Sequence, residues 1–137
     1  MEWAHVVALV VCAWIWAACG SAVRPAADNT PIGRAFNAGT SDVQVEDEGT
    51  VTRILEDDLD GSRHQRFIVR LTSGQTVLIA HNIDIAPRIP GLKIGDSVRF
   101  YGEYVWNSKG GTVHWTHHDP EGKHVAGWLK HNDRIYQ

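Results

Sequence analysis

The stretch His64–Leu71, reading HQRFIVRL, alternates too regularly to be anything but a strand. In an extended chain Phe67, Val69 and Leu71 share one face, and His64, Arg66, Ile68 and Arg70 share the other. A helix would scatter both sets. The same texture recurs on either side. Gly49–Glu56 (GTVTRILE) precedes it across an acidic turn holding Asp60-Gly61, and Thr76–His81 (TVLIAH) follows the turn at Ser73-Gly74. A fourth strand is predicted at Asp96–Trp106, where Gly102 marks a bulge or sharp bend. A fifth is predicted at Thr112–His118, after the hairpin loop Asn107–Gly111, and the tail is expected to close with a short strand or turn near Trp128–His131. Pro87 and Pro90 limit Asn82–Leu92 to a loop or a single helical turn.

Five short strands, with the longest connection between the third and fourth, follow the order of an OB-fold. The expected fold class is therefore all-β, a small five-stranded OB-fold-like barrel over residues 45–137. An SH3-like barrel is the main competitor, because strand count alone does not separate the two. A chain of 137 residues has room for one such domain.

The N-terminal third has a different texture. Val6–Ala18 is almost continuously apolar, but shorter than the ~20 residues of a spanning helix. Residues 1–19 are read as a signal peptide, although Glu2 and His5 precede the run and no Lys or Arg does. Trp16-Ala17-Ala18-Cys19 resembles a lipobox with Trp in the usual Leu position, so a lipid on Cys19 stands beside ordinary cleavage between Ala18 and Val23. Residues 20–44, rich in Ala, Gly, Pro, Asn and Thr, are expected to form a flexible linker, with a short helix near Ile32–Phe36 as the disfavoured alternative. The product is expected to be exported, either periplasmic or membrane-anchored in a bacterial envelope.

Both cysteines, Cys12 and Cys19, lie in this N-terminal part, so the barrel can hold neither a disulfide nor a thiolate metal site. Any metal there needs His, Asp or Glu ligands. Four of the eight histidines fall in His114–Trp128, HWTHHDPEGKHVAGW. On an uninterrupted strand His114 and His118 point one way and Trp115 and His117 the other. His114, His118 and His124 are the candidate ligands for a divalent metal such as zinc, with His64, His81 or Asp119 in reserve. The spacing fits no standard zinc motif. Ligand-binding candidates are His64, Gln65 and Arg66 on the second strand and His81 and Asn82 on the third. Trp106 and Asn107 at the hairpin loop join them, as do Trp115 and Trp128. Asp84 could orient His81, although capping of its own turn is the plainer role.

Other readings are excluded or disfavoured. The acidic turn opens like a calcium loop, but its twelfth position is Phe67, which has no carboxylate. A formal charge of -3 weighs against nucleic acid as a partner.

Arg63-His64-Gln65-Arg66-Phe67, Ala80-His81-Asn82-Ile83-Asp84, Gly102-Glu103-Tyr104-Val105-Trp106-Asn107 and His114-Trp115-Thr116-His117-His118-Asp119-Pro120 occur in that order, followed by His124 and Gly127-Trp128. Together they resemble a family of small exported bacterial proteins classed as a domain of unknown function. The resemblance spans Gly49 to Gln137 and leaves the N-terminal tether outside. It implies an envelope setting and a compact β-barrel, and carries no activity. A weaker likeness is to thermonuclease-type phosphodiesterases. Asp57 and Asp58 near strand one and Arg66 and Arg70 on strand two fit it loosely, but that family's catalytic Glu has no counterpart.

The expected function is binding of a ligand, metal ion or envelope component at the His/Trp-rich end. A metal-dependent hydrolase of phosphodiesterase or nuclease type is one alternative, and a membrane-tethered interaction module is the other.

Overall fold

The computed structural model describes residues 28–137. The expected signal segment, Cys19 and the start of the linker lie outside the described residues. The elements are α1 (Pro31–Ala38), β1 (Val43–Ile54), β2 (His64–Leu71), β3 (Thr76–Asn82), β4 (Ser97–Val105), β5 (Thr112–His114), β6 (Trp128–His131) and β7 (Arg134–Tyr136). Hydrogen-bonded neighbours run β1-β2-β3-β5-β4, and β1 pairs again with β4 to close a five-stranded barrel. β3 and β5 are the parallel pair, and the other barrel pairs are antiparallel. This is the OB-fold order expected from the strand spacing. β6 and β7 are additional to it.

The alternation of β2 is realised as read. Gln65, Phe67, Val69 and Leu71 are buried, while His64, Arg66 and Ile68 are only half-buried and Arg70 is exposed. Val77, Ile79 and His81 do the same on β3, and Val98, Phe100 and Tyr104 on β4. Each fully buried Phe or Ile of this core contributes about 1.5–3 kcal/mol relative to an exposed one. Gly102 is explained by a close approach rather than a bulge. A Cβ there would lie 2.4 Å from the His114 carbonyl oxygen, so glycine lets β5 lie tight against β4.

Two expectations need correction. The segment expected as a linker over 20–44 holds a helix, the alternative its composition disfavoured. Thr30 caps α1 by accepting from the Gly33 amide at 3.1 Å, Pro31 opens the helix, and Gly39 ends it in the left-handed region at φ 66°. Ile32 and Ala35 then bury against the barrel, which outweighs the composition of the segment. β1 also begins at Val43, ahead of the expected boundary.

The fifth strand is the second correction. It ends at His114 and not at His118, because Trp115 takes φ 53° and breaks the alternation. β5 and β6 then lie end to end along one edge of β4. β5 pairs with Glu103, Tyr104 and Val105, and β6 pairs with Arg99, Phe100 and Tyr101. The His-rich stretch between them is an excursion that leaves this edge and returns to it. Gly127 closes it: its amide donates to the His117 carbonyl at 3.0 Å, and a Cβ would lie 2.0 Å from the Trp115 carbonyl oxygen.

Candidate functional site

The excursion is held in shape by one carboxylate. Asp119 accepts from the Glu121 amide at 2.9 Å on one oxygen, and from the Lys123 and His124 amides at 2.7 and 2.8 Å on the other. These backbone donors, with His124 nearby, hold its pKa below the usual carboxylate value. Asp119 is thus a loop staple rather than a metal ligand, and it delivers His124 to the barrel wall.

There His124 meets Glu103, which points outward from β4. Nε2 of His124 lies 2.6 Å from one Glu103 oxygen, and Nδ1 lies 2.9 Å from the Val125 carbonyl. The Val125 carbonyl and an ionised Glu103 both accept, so the site favours the ring that carries a proton on each nitrogen. Burial works against that charge, but the Glu103 and Val125 acceptors outweigh it, and the His124 pKa is raised. Trp115 stacks on the ring at 4.1 Å and 9°, a cation–π arrangement. The second Glu103 oxygen lies 3.3 Å from Nε2 of His114, too poorly aligned to count as a hydrogen bond. Burial lowers the His114 pKa, against the pull of Glu103.

His64 and His114, far apart in sequence, line one groove of about 330 Å³ with Asp58, Arg66 and Thr112. The groove lies on the outer face of β2, β3 and β5. Nδ1 of His64 donates to the Ser62 carbonyl at 2.7 Å, which leaves Nε2 for a ligand. Arg66 donates through Nε to the Glu56 carbonyl at 3.0 Å, and its terminal nitrogens meet no acceptor among the described residues. Beside it, toward the 106–111 loop, a second concavity of about 400 Å³ is floored by Leu55, Ile68 and Leu78 and edged by Arg53 and Lys109. The register joins the two, since Arg66 pairs with Ala80, Ile68 with Leu78, and Leu78 with Thr112. A larger hollow of about 650 Å³ lies elsewhere, near Asp47, Thr50, Arg70 and Ser97. None of the ligand-binding or metal candidates read from the sequence lines it; Arg70 does.

The remaining candidates divide sharply. Gln65 is buried and clamps the backbone of Ile89, donating to its carbonyl at 3.0 Å and accepting from its amide at 2.9 Å. His81 is fully buried and faces the interior with His117, their rings 6.4 Å apart. It contacts Thr116 and Pro87, while Asp84 pairs with Arg63 at 2.7 Å instead of orienting it. Asn82 accepts from the Asp84 amide at 2.9 Å, a turn cap. Trp106 donates from its indole to the Phe36 carbonyl at 3.1 Å and so fastens α1. Asn107 organises its own hairpin loop through the Lys109 and Gly111 amides. Trp128 lies beside Tyr101 and under Arg99. Asp57 pairs with Arg88.

The metal trio His114, His118 and His124 does not assemble. His118 is exposed beyond the break at Trp115, whereas His114 and His124 approach opposite oxygens of Glu103. Among the described residues, no group of three or more His, Cys, Asp or Glu side chains is placed to hold a metal ion. Glu103 itself was missed from sequence. The signal was available: pairing β4 with the strand after the Asn107–Gly111 loop sets Glu103 directly opposite His114.

Fold and rim together define a class: an OB-type barrel with a histidine- and arginine-lined groove on its outer face. The chain belongs to the family described as "Protein of unknown function (DUF3465)", which it matches over residues 14–137. The match extends well N-terminal of the Gly49–Gln137 resemblance and takes in the segment read as a tether. No curated protein and no solved structure matches the chain.

Proposed function

We propose that this barrel is an exported binding module whose ligand, an envelope component, lies along the outer face of β2, β3 and β5. One observation carries the reading. His64 and Arg66 from β2 and His114 from β5 converge on one groove, with the terminal donors of Arg66 and the free Nε2 of His64 unspent, on the face that OB-folds use for extended ligands. The face is an analogy at fold level; the convergence belongs to this chain. Export rests on the apolar run before Cys19, which would deliver the barrel to the envelope, free or lipid-anchored.

Glu103 and His124 support the groove and stand apart from the ligand. Their mutual ion pair fixes the Trp115–His124 stack behind His114. A binding role is favoured over metal-dependent hydrolysis because the carboxylate that would complete a two-histidine donor set is already engaged by His124.

The test is amide chemical-shift mapping with a panel of short anionic glycan fragments, short-chain phosphates and zinc. Shifts should cluster at residues 64, 66, 80, 112 and 114, and weaken in a His64→Ala, Arg66→Gln variant. Shifts centred instead on Asp47, Thr50, Arg70 and Ser97, which line the larger hollow, would refute the assigned face. Stoichiometric zinc that perturbs Glu103 and both of its histidines would restore the hydrolase reading.

A further inference from the structure

We infer that the ligand of this groove is an anionic amphiphile: a small acidic head attached to an aliphatic body. The inference rests on the binding face just proposed and adds the chemical class.

Charge is the first argument. The chain carries a formal charge of -3, yet the two concavities on this face are lined by Arg53, Arg66 and Lys109 against a single carboxylate, Asp58. None of the three cations makes a salt bridge among the described residues, whereas Arg63, Arg88 and Arg99 on other faces all do. Arg34, Arg70, Lys93 and Arg134 also lack a salt bridge among the described residues and lie elsewhere, so what marks this face is its local balance of three cations to one carboxylate, which is complementary to an anion.

The floor is the second argument. Between those cations lie Leu55, Ile68 and Leu78, all half-buried and all aliphatic. Neither concavity is lined by Phe, Tyr or Trp. Single-stranded nucleic acid is held by stacking on aromatic planes, which this floor does not offer. An aliphatic floor gains from covering alkyl surface. The aliphatic floor lies at one end, edged by Arg53 and Lys109, and the imidazoles and Arg66 lie at the other. His64, Arg66 and His114 crowd the end near the Asp58 turn, and Ile68 and Leu78 lie one strand repeat away toward the 106–111 loop. An acidic head would sit at Arg66, on its free terminal donors, with its alkyl body running over Ile68 and Leu78.

The test is calorimetric titration of the chain, purified as the cell processes it, with decyl phosphate below its micelle concentration. Inorganic phosphate, octyl glucoside and an oligothymidylate are the comparison probes. Decyl phosphate should bind, and should weaken as salt is raised. Inorganic phosphate and octyl glucoside should each bind at least about tenfold more weakly, since each lacks one half of the match. Arg66→Gln and Leu78→Ser should each lower decyl phosphate affinity about tenfold, the modest end for an open groove. Leu78→Ser should leave the weak phosphate response unchanged, which separates a lost alkyl contact from a misfolded barrel. Equal binding of octyl glucoside would overturn the acidic head. Tighter binding of the oligothymidylate through Arg66 would overturn the amphiphile and keep the face. Failure of every probe to perturb the groove would overturn both.

Discussion

His81 makes the stability of this barrel sensitive to acid, and the size of the effect follows from its two partners. The ring is fully buried, with Nε2 3.1 Å from the Pro87 carbonyl and Nδ1 2.8 Å from the Thr116 hydroxyl. A carbonyl only accepts, so Nε2 carries the proton and Nδ1 accepts from Thr116. The neutral ring is therefore fully satisfied. Burial is the main reason that its pKa falls to about 4, opposed by the Pro87 carbonyl and reinforced by His117 and His64. The unfolded chain titrates near 6.5, so it takes up the proton first. Stability is complete above that value and is lost as pH falls from about 6.5 toward about 4. At ~1.4 kcal/mol per pKa unit, the loss is ~2.5 kcal/mol by about pH 4.5 and ~3 kcal/mol over the whole window. That is a large share of the ~5–15 kcal/mol typical of a domain. Urea unfolding should be measured between about pH 7 and pH 4.5 for the natural chain and for His81→Gln, which can keep one donor and one acceptor. The variant will be weaker at neutral pH, so the slopes are compared and not the midpoints. The natural chain should lose ~2 kcal/mol more than the variant across this range. Parallel slopes would refute the argument.

Three further outcomes follow from the geometry. Glu103→Gln should drop the His124 pKa toward or below its ordinary value, read as the pH dependence of its ring proton shifts; an unmoved titration would deny the ion pair. Gln65→Leu strips both partners from the buried Ile89 backbone and should cost ~2–4 kcal/mol in urea unfolding, against little change for an exposed control such as Arg70→Gln. Gly127→Ala places a methyl group against the Trp115 and Tyr101 carbonyl oxygens and should cost ~2 kcal/mol or more in thermal unfolding, because both neighbours are backbone.

The hairpin of β2 and β3 could be read almost completely from the chain, because period-2 burial and a two-residue turn signal point the same way. The same logic places His81 inside, in line with Val77 and Ile79, and outside the ligand set. Three things were hidden. The helix at Pro31–Ala38 was masked by a composition typical of linkers, although Thr30-Pro31 and Gly39 mark its ends. The break after His114 depends on a left-handed Trp115, a conformation that no local rule predicts for an indole. Glu103 stood in plain sequence, but its importance depends on a loop that brings His124 back across it. Thus the strand-borne half of the groove was legible, and the half created by the excursion was not.

The position of α1 has a directional consequence. Asp28 and the end of the helix lie beside the 73–75 turn and the 108–110 loop. His64, Asn82 and the excursion occupy the other end of the strands. An eight-residue strand such as β2 spans about 25 Å. The histidine rim therefore lies about 25 Å from the end of the barrel that carries Asp28 and α1. The groove runs along the wall between these two ends, its aliphatic half beside the 108–110 loop at the α1 end and its histidine half at the far one.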